Sequence, residues 1–156
     1  MKYLIAILAV AGIVVSTLGL HVHLMDPSQA PPCAVSEHWD CGAVNHSRYS
    51  WFPPKTIDEL FAPNPHAIHI PVATLGIIGY ALILVTALGG WLWPTLVLSL
   101  GGFSFAAYLS YIEKFVIQKW CIYCVWSQTI MTGILLLTAV ALVLRRQSRA
   151  PAHAST

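Results

Sequence analysis

The sequence contains very few charged residues. Of its 156 residues, 8 are Lys or Arg and 6 are Asp or Glu, so that charged side chains make up 9% of the chain, whereas a soluble domain carries about 25%. This scarcity, with 57% hydrophobic residues and a mean hydropathy of +0.70, excludes an ordinary soluble domain. The net charge of +2 is too small and too dispersed to indicate nucleic acid as a partner. The composition predicts a small all-α integral membrane protein with several spans.

Four apolar segments are long enough to cross a membrane as helices, since a helix rises about 1.5 Å per residue and the hydrocarbon core is about 30 Å thick. They cover residues 3–20, 70–88, 91–112 and 121–144. Gly89 and Gly90 separate the second from the third, which predicts a tight helical hairpin. No charged residue occurs from 70 to 112, so these spans offer no obvious ion path or proton relay. We therefore predict one domain over residues 1–156, built as a bundle of four transmembrane helices with a long outer loop.

The first span also resembles the apolar region of a signal peptide, because it follows Met1 and Lys2. Residues 16–20 contain no clear A-x-A cleavage site, so we expect a retained span. Basic residues near the ends of the spans predict the orientation. Lys2 precedes the first span, and the tail of residues 145–156 carries Arg145, Arg146 and Arg149. Both termini are accordingly predicted to be cytoplasmic, with the loop of residues 21–69 and the connection of residues 113–120 on the outer face.

The long outer loop is rich in proline, which prevents a long helix. Within it, residues 56–61 have an N-cap candidate in Thr56 and a capping-box Glu59, followed by apolar side chains. This pattern predicts a short amphipathic helix at the membrane surface. A loop of this length without regular structure is usually functional. We expect it to act as a lid that carries Cys33 and Cys41 over the helix ends.

The four cysteines form two pairs, and both are predicted on the outer face. Cys33 and Cys41 lie in the polar loop, and Cys121 and Cys124 open the fourth span as C-I-Y-C. Residues i and i+3 of a helix share one face, and the positive end of the helix dipole favours the thiolate. Two dithiols with nothing else reactive nearby indicate a relay of electron pairs by thiol–disulfide exchange.

Other interpretations of the cysteines remain open. Cys121 and Cys124 can be inert helix residues, and a structural disulfide in a loop is common in oxidising compartments. A four-thiolate zinc site, or a copper or zinc path, is the metal alternative. The copper or zinc path would combine the cysteines with His21, His23, His38 and His46. The spacing between Cys33 and Cys41 is loose for zinc, and no H-x3-H or HExxH motif occurs, so we predict no metal site. A metal-binding membrane transporter and a structural subunit stay as alternative functions.

The motifs resemble those of the vitamin K epoxide reductase family, including its bacterial quinone-linked members. The resemblance covers nearly the whole chain and depends on four elements in order. These are Cys33 with Cys41, Ser47 six residues later, the segment of residues 70–80 that opens the second span, and C-I-Y-C at residues 121–124. DsbB-type membrane oxidases have the two kinds of pair in the opposite order. The order of the motifs therefore favours the epoxide reductase family.

The resemblance implies a four-helix bundle around a quinone, either ubiquinone or menaquinone, capped by the loop. By this analogy Cys33 exchanges with a thioredoxin-like partner, and Cys41 passes electrons to Cys121. Cys124 lies beside the quinone ring and reduces it, and Ser47 helps to bind a quinone oxygen. All four cysteines are thus expected to be catalytic, with Ser47 and Cys124 as quinone-binding residues.

Many bacterial family members carry a fused thioredoxin-like domain, whereas only residues 145–156 follow the fourth span here. The expected partner is therefore a separate thioredoxin-fold oxidase of the DsbA type in the periplasm. The sequence indicates a disulfide-generating oxidoreductase of a bacterial inner membrane, embedded in lipid. The alternative within the family is an enzyme of the endoplasmic reticulum that reduces vitamin K epoxide.

Overall fold

The chain is mostly helical. A computed structural model describes residues 1–28, 33, 36–56 and 68–149. The helices are α1 (Lys2–Leu24), α2 (Cys41–Asn45), α3 (Val72–Leu88), α4 (Leu92–Ile112) and α5 (Ile122–Arg149). A 3-10 turn covers Arg48–Ser50, and a π-helical turn, Glu113–Ile117, extends α4. Two short strands, β1 (Trp51–Phe52) and β2 (Ile70–Pro71), pair antiparallel just before α3 begins.

Three of the described helices are long and apolar enough to cross a membrane. They are α1, α4 with its π-helical turn to Ile117, and α5 to Ser148. The apolar helix α3 is shorter, with 17 residues. The prediction of a helical membrane protein is confirmed. The described residues contain three candidate spans and one shorter apolar helix, so the count of four spans stays a prediction.

The described helices differ at some ends from the predicted spans. Helix α1 continues to Leu24, so that His21 and His23 belong to the helix and not to the loop. The reason is packing, since Val22 is 1% exposed and lies in the same apolar cluster as Cys41. The amphipathic helix predicted over residues 56–61 lies outside the described residues except for Thr56.

Small residues allow the helices to approach closely. An added Cβ at Gly12 of α1 would overlap the ring of Tyr80 in α3, and one at Gly76 would lie 2.8 Å from Ser16 Oγ. Buried residues of α1, α3 and α5, including Ile5, Ile83 and Ile134, form the core of the bundle. Many outward-facing side chains of the helices are large, apolar and exposed, as a lipid-facing surface requires.

Candidate functional site

The loop cysteines are joined in a disulfide, Cys33–Cys41. Cys41 is the first residue of α2, whose N-terminus is capped by Asp40, because Asp40 Oδ1 accepts the Ala43 N–H at 3.0 Å. The cap fixes the start of this short helix and thereby the position of Cys41. Both sulfur-bearing residues are buried, since Cys33 is 6% and Cys41 0% exposed.

The segment before Cys121 docks against the loop. Gln118 adopts a left-handed conformation with φ +57° and ends the π-helical turn. The following residues pair with the loop as a parallel bridge: Trp120 N–H donates to His38 O at 2.8 Å, and Asp40 N–H donates to Trp120 O at 3.1 Å. Lys119 Nζ also contacts the backbone oxygen of Glu37. These contacts place the residue before Cys41 beside the residue before Cys121.

Cys121 and Cys124 occupy the start of α5. The Cys121 carbonyl accepts the Val125 N–H at 3.1 Å, so that Cys121 is the N-terminal cap and Cys124 lies one turn later. Both are free thiols; Cys121 is 0% exposed and Cys124 is half-buried. The hydrogen bond with the Cys124 thiol lowers the pKa of Cys121 from its ordinary value, against the opposing effect of burial.

Asn45, at the end of α2, connects the two cysteine pairs. Its Nδ2 donates to Cys41 O at 2.9 Å and lies 3.5 Å from Cys121 Sγ, which is a normal length for an N–H···S hydrogen bond. Its own backbone oxygen accepts from His23 Nδ1 at 2.6 Å, which ties α2 to the end of α1. Cys33, Cys41 and Cys121 share one buried cluster, against which Cys124 packs. The structure therefore brings all four predicted cysteines together.

A cavity of about 300 Å³ lies beside the cysteine cluster. Cys121 and Cys124 form part of its wall, and most of the remainder is apolar, with Leu75, Phe105 and Leu109 among the lining residues. Its few polar groups include Tyr80, whose hydroxyl lies 2.8 Å from Ser127 O and 2.9 Å from Ser127 Oγ. Small-molecule sites have this character and volumes of about 300–1,000 Å³. The cavity therefore has the volume and the lining of a small-molecule site.

Ser47 also lines this cavity and is half-buried. Its hydroxyl donates to Val44 O at 2.8 Å, and its oxygen retains capacity to accept a further hydrogen bond. The structure thus places Ser47 on the cavity wall, while its role toward a quinone stays a prediction.

Two of the four histidines of the metal alternative, His23 and His46, have other partners. His23 Nδ1 contacts Asn45 O, and the two ring nitrogens of His46 lie 2.9 Å from Gly42 O and 3.0 Å from Met25 O. Across the described residues, no group of three or more His, Cys, Asp or Glu converges to hold a metal ion. His46 instead connects the end of α1 to α2.

Two polar residues of the site were missed by the sequence analysis. One is Asn45, which carries no signal in the sequence beyond its position four residues after Cys41. The other is Glu113, 2% exposed, whose Oε2 accepts the Cys121 N–H at 3.2 Å. The signal in the sequence is a single acidic residue at the end of an apolar span, eight positions before C-x-x-C.

Fold and site together define a small helical membrane protein that holds a disulfide and a dithiol in one buried cluster beside an apolar cavity. The sequence matches the model of the vitamin K epoxide reductase family over residues 3–139, and the chain belongs to this family. Its members are oxidoreductases that use quinones. The comparison with curated proteins gives no match. The resemblance inferred from the order of the cysteine motifs is thereby confirmed.

Proposed function

We propose that the protein is a quinone-linked thiol–disulfide oxidoreductase of a bacterial inner membrane. It would reoxidise a separate thioredoxin-fold protein of the DsbA type and pass the electron pair to ubiquinone or menaquinone. The observation that carries the proposal is the meeting of four cysteines from distant parts of the chain in one buried cluster. The pair at the start of α5 forms part of the wall of an apolar cavity, where an apolar electron acceptor can bind.

The relay begins with the loop disulfide. A thiolate of the reduced partner attacks Cys33, which forms a mixed disulfide and releases Cys41 as a thiolate. The second partner thiol then resolves the mixed disulfide, so that the partner leaves oxidised and the loop pair stays reduced.

Electrons then move from the loop to α5. Cys41 attacks Cys121 of an oxidised Cys121–Cys124 pair, and Cys124 leaves as a thiolate. Cys33 next attacks Cys41, which restores the loop disulfide and releases Cys121, and the two protons that the loop thiols give up pass to Cys124 and Cys121. The end of this step is the state in the structure, with Cys33–Cys41 joined and the α5 thiols free.

A quinone in the cavity supplies an acceptor for two electrons and two protons. When Cys121 and Cys124 join again, both thiol S–H bonds break and one S–S bond forms, which releases two electrons and two protons. Apolar walls would exclude water from the pair, and the hydroxyls of Ser47 and Tyr80, which line the cavity, would orient a ring oxygen. No other group is needed to balance the reaction.

The proposed membrane arrangement makes α3 the fourth span. Its 17 residues extend about 25 Å, and the paired strands lead directly into it. Lys2 and the arginines after residue 144 would then lie in the cytoplasm, with the cysteine cluster at the periplasmic face. A membrane-impermeant thiol reagent applied to intact cells after mild reduction tests the sidedness: labelling of Cys33 is expected from the periplasm only.

The test of the function uses the full chain in detergent, a reduced DsbA-type protein and a short-chain quinone, with quinone absorbance as the readout. We expect turnover that requires all four cysteines. For the trap, Cys41→Ser is mixed with a partner that keeps only its attacking cysteine, activated as a mixed disulfide with an aromatic thiol. Cys33 should displace the aromatic thiol and stay joined to the partner, because neither the loop nor the partner retains a second thiol to resolve the disulfide. Thr129→Ala is the matched control, since that hydroxyl is exposed and contacts only Val125 O of its own helix.

Two outcomes would contradict the proposal. One is the absence of quinone reduction by the wild-type chain while the partner is present in reduced form. The other is turnover that persists in Cys121→Ser or Cys124→Ser, which would place the chemistry elsewhere. Retention of stoichiometric zinc or copper through these two cysteines, without turnover, would favour the metal-binding alternative.

A further inference from the structure

Glu113 is a buried carboxyl group for which the relay described above has no use. It is 2% exposed and follows directly after α4, where it lines the cavity together with Cys121 and Cys124. Among the described residues on the cavity wall, it is the only acidic one. A buried ionisable group at the edge of an apolar span is costly and usually has a function.

The two carboxyl oxygens have different surroundings. Oε2 accepts the Cys121 N–H at 3.2 Å, whereas Oε1 is buried without a hydrogen-bond partner among the described groups. The carboxyl group also interacts with the Cys124 thiol. Leaving a buried polar atom without a hydrogen bond is unfavourable. The orphaned oxygen is therefore available to accept a proton or a hydrogen bond inside the cavity.

Oxidation of the α5 pair requires a group that accepts the protons of the two thiols, and this carboxyl can accept them. Joining Cys121 to Cys124 releases two protons into a cavity with mostly apolar walls, and a quinone needs both of them. The other titratable groups on the wall are Tyr49, Tyr80 and Tyr123, and His23 at the end of α1. His23 is held by Asn45 O, and Cys41 of α2 is in a disulfide. Of the titratable groups described on the wall, only Glu113 both hydrogen-bonds to Cys121 and has a buried oxygen without a partner.

We infer that Glu113 transfers the thiol protons of Cys124 and Cys121 to the bound quinone. As the pair closes, the S–S bond forms and its two electrons pass to the quinone. The proton of Cys124 moves to the carboxylate of Glu113 and from there to a quinone oxygen. The proton of Cys121 follows the same route once the first has left, so that Glu113 ends the cycle as it began. This inference rests on the proposed function and adds the proton path to it.

A purely structural role is the competing interpretation, in which Glu113 only holds the Cys121 N–H. Glu113→Gln separates the two roles, because an amide oxygen still accepts that hydrogen bond but cannot take up a proton. Glu113→Asp keeps a shorter carboxyl and should restore part of the rate. Glu37→Gln is the matched control, since Glu37 is exposed and uses only its backbone oxygen in the site.

Reduced full-length protein is mixed with a short-chain quinone in a single-turnover experiment over a range of pH. We expect Glu113→Gln to slow quinone reduction about 100-fold or more, the usual size of a proton-transfer contribution. Its remaining rate should rise with pH, because the protons must then leave to solvent. Exchange between the loop pair and the α5 pair, measured without quinone by alkylation and mass spectrometry, should stay within a few-fold of wild type.

Thiolate absorbance provides a readout that does not depend on the quinone. Hydrogen bonding with Cys124 is the strongest influence on the pKa of Cys121, while the charge of Glu113 acts to raise it. Glu113→Gln should therefore form thiolate at lower pH and still reduce quinone more slowly. If the role of Glu113 were only structural, easier thiolate formation would not be accompanied by slower quinone reduction.

Three results would overturn the proton-transfer role of Glu113. Quinone reduction at the wild-type rate in Glu113→Gln overturns the inference. So does equal loss of loop exchange and quinone reduction, since that result reports a displaced Cys121. If wild type itself does not reduce quinone, the proposed function fails and the proton path fails with it.

Discussion

Asn45 should shift the equilibrium between the Cys33–Cys41 disulfide and the Cys41–Cys121 disulfide toward the former. When Cys33 attacks a Cys41–Cys121 disulfide, Cys121 leaves as a thiolate. Asn45 Nδ2, 3.5 Å from Cys121 Sγ, is placed to donate a hydrogen bond to that charge. Hydrogen bonds to charged groups contribute about 1.5–3 kcal/mol. Losing this bond should shift the equilibrium toward the Cys41–Cys121 disulfide by about 10- to 150-fold, because 1.4 kcal/mol is a factor of ten.

The measurement uses a Cys124→Ser background, in which the hydroxyl still donates to Cys121 and only three cysteines remain. At a pH where Cys121 is ionised, thiols are alkylated and the species with free Cys33 or free Cys121 are counted by mass spectrometry. Asn45→Ala should increase the species with free Cys33. Asn45→Asp, which has the same shape but adds a negative charge, should increase it further.

The hydrogen bond from Asn45 to Cys41 O is lost in both variants. It contributes to both disulfide species and so largely cancels from their ratio. Thr129→Ala on α5 again serves as the control and should leave the ratio unchanged. If Asn45→Ala gives the same ratio as the control, the hydrogen bond to Cys121 does not stabilise the thiolate, and the reasoning fails.

Three further predictions follow from other contacts of the site. Gly12→Val should push the ring of Tyr80 from its place and destabilise the bundle by about 1–3 kcal/mol, seen as a lower thermal midpoint in detergent; an unchanged midpoint would show that the ring can move freely. His46→Ala removes contacts to two backbone oxygens and should cost about 0.5–1.5 kcal/mol for each hydrogen bond lost, detectable as faster proteolysis of the loop at unchanged helix content. Cys124→Ala removes the main cause of the lowered pKa of Cys121, so its alkylation profile should move to higher pH, whereas Cys124→Ser should keep most of the effect; equal profiles for both variants would contradict this cause.

The features that sequence reasoning predicted are those encoded locally or by order. Uninterrupted apolar runs produced the helical, membrane-spanning character, and the order of the cysteine motifs indicated the family. The loop proved harder, since it is held by non-local pairing. The bridge between Trp39 and Trp120 joins segments far apart in the chain, and no periodic pattern in the sequence predicts it.

Polar residues at the site escaped prediction for a related reason. Asn45 and Glu113 are ordinary residue types, and each acquires its role only when α2 meets the start of α5. The end of α1 is a further case. His21 and His23 read as polar loop residues, but the helix continues through them because Val22 packs against the cysteine cluster. Tertiary contacts determine where α1 ends and what Asn45 and Glu113 contact, and these contacts cannot be predicted from the pattern of a single sequence.

Asn45 and Glu113 are expected to act on Cys121 in opposite directions, and this opposition would give the proposed relay its order. The donor of Asn45 belongs to the same short helix as Cys41, so it reaches Cys121 only when the loop is docked. In the proposed relay, docking would bring the Cys41 sulfur and the Asn45 amide to Cys121 together, and the amide would stabilise Cys121 as a leaving thiolate. A thiolate that is a weaker base leaves faster. The carboxyl of Glu113 opposes a lasting negative charge at the same place. In the proposed relay the loop would thus pass electrons to the α5 pair, and Glu113 would collect the protons released when that pair is oxidised, on the side that faces the cavity.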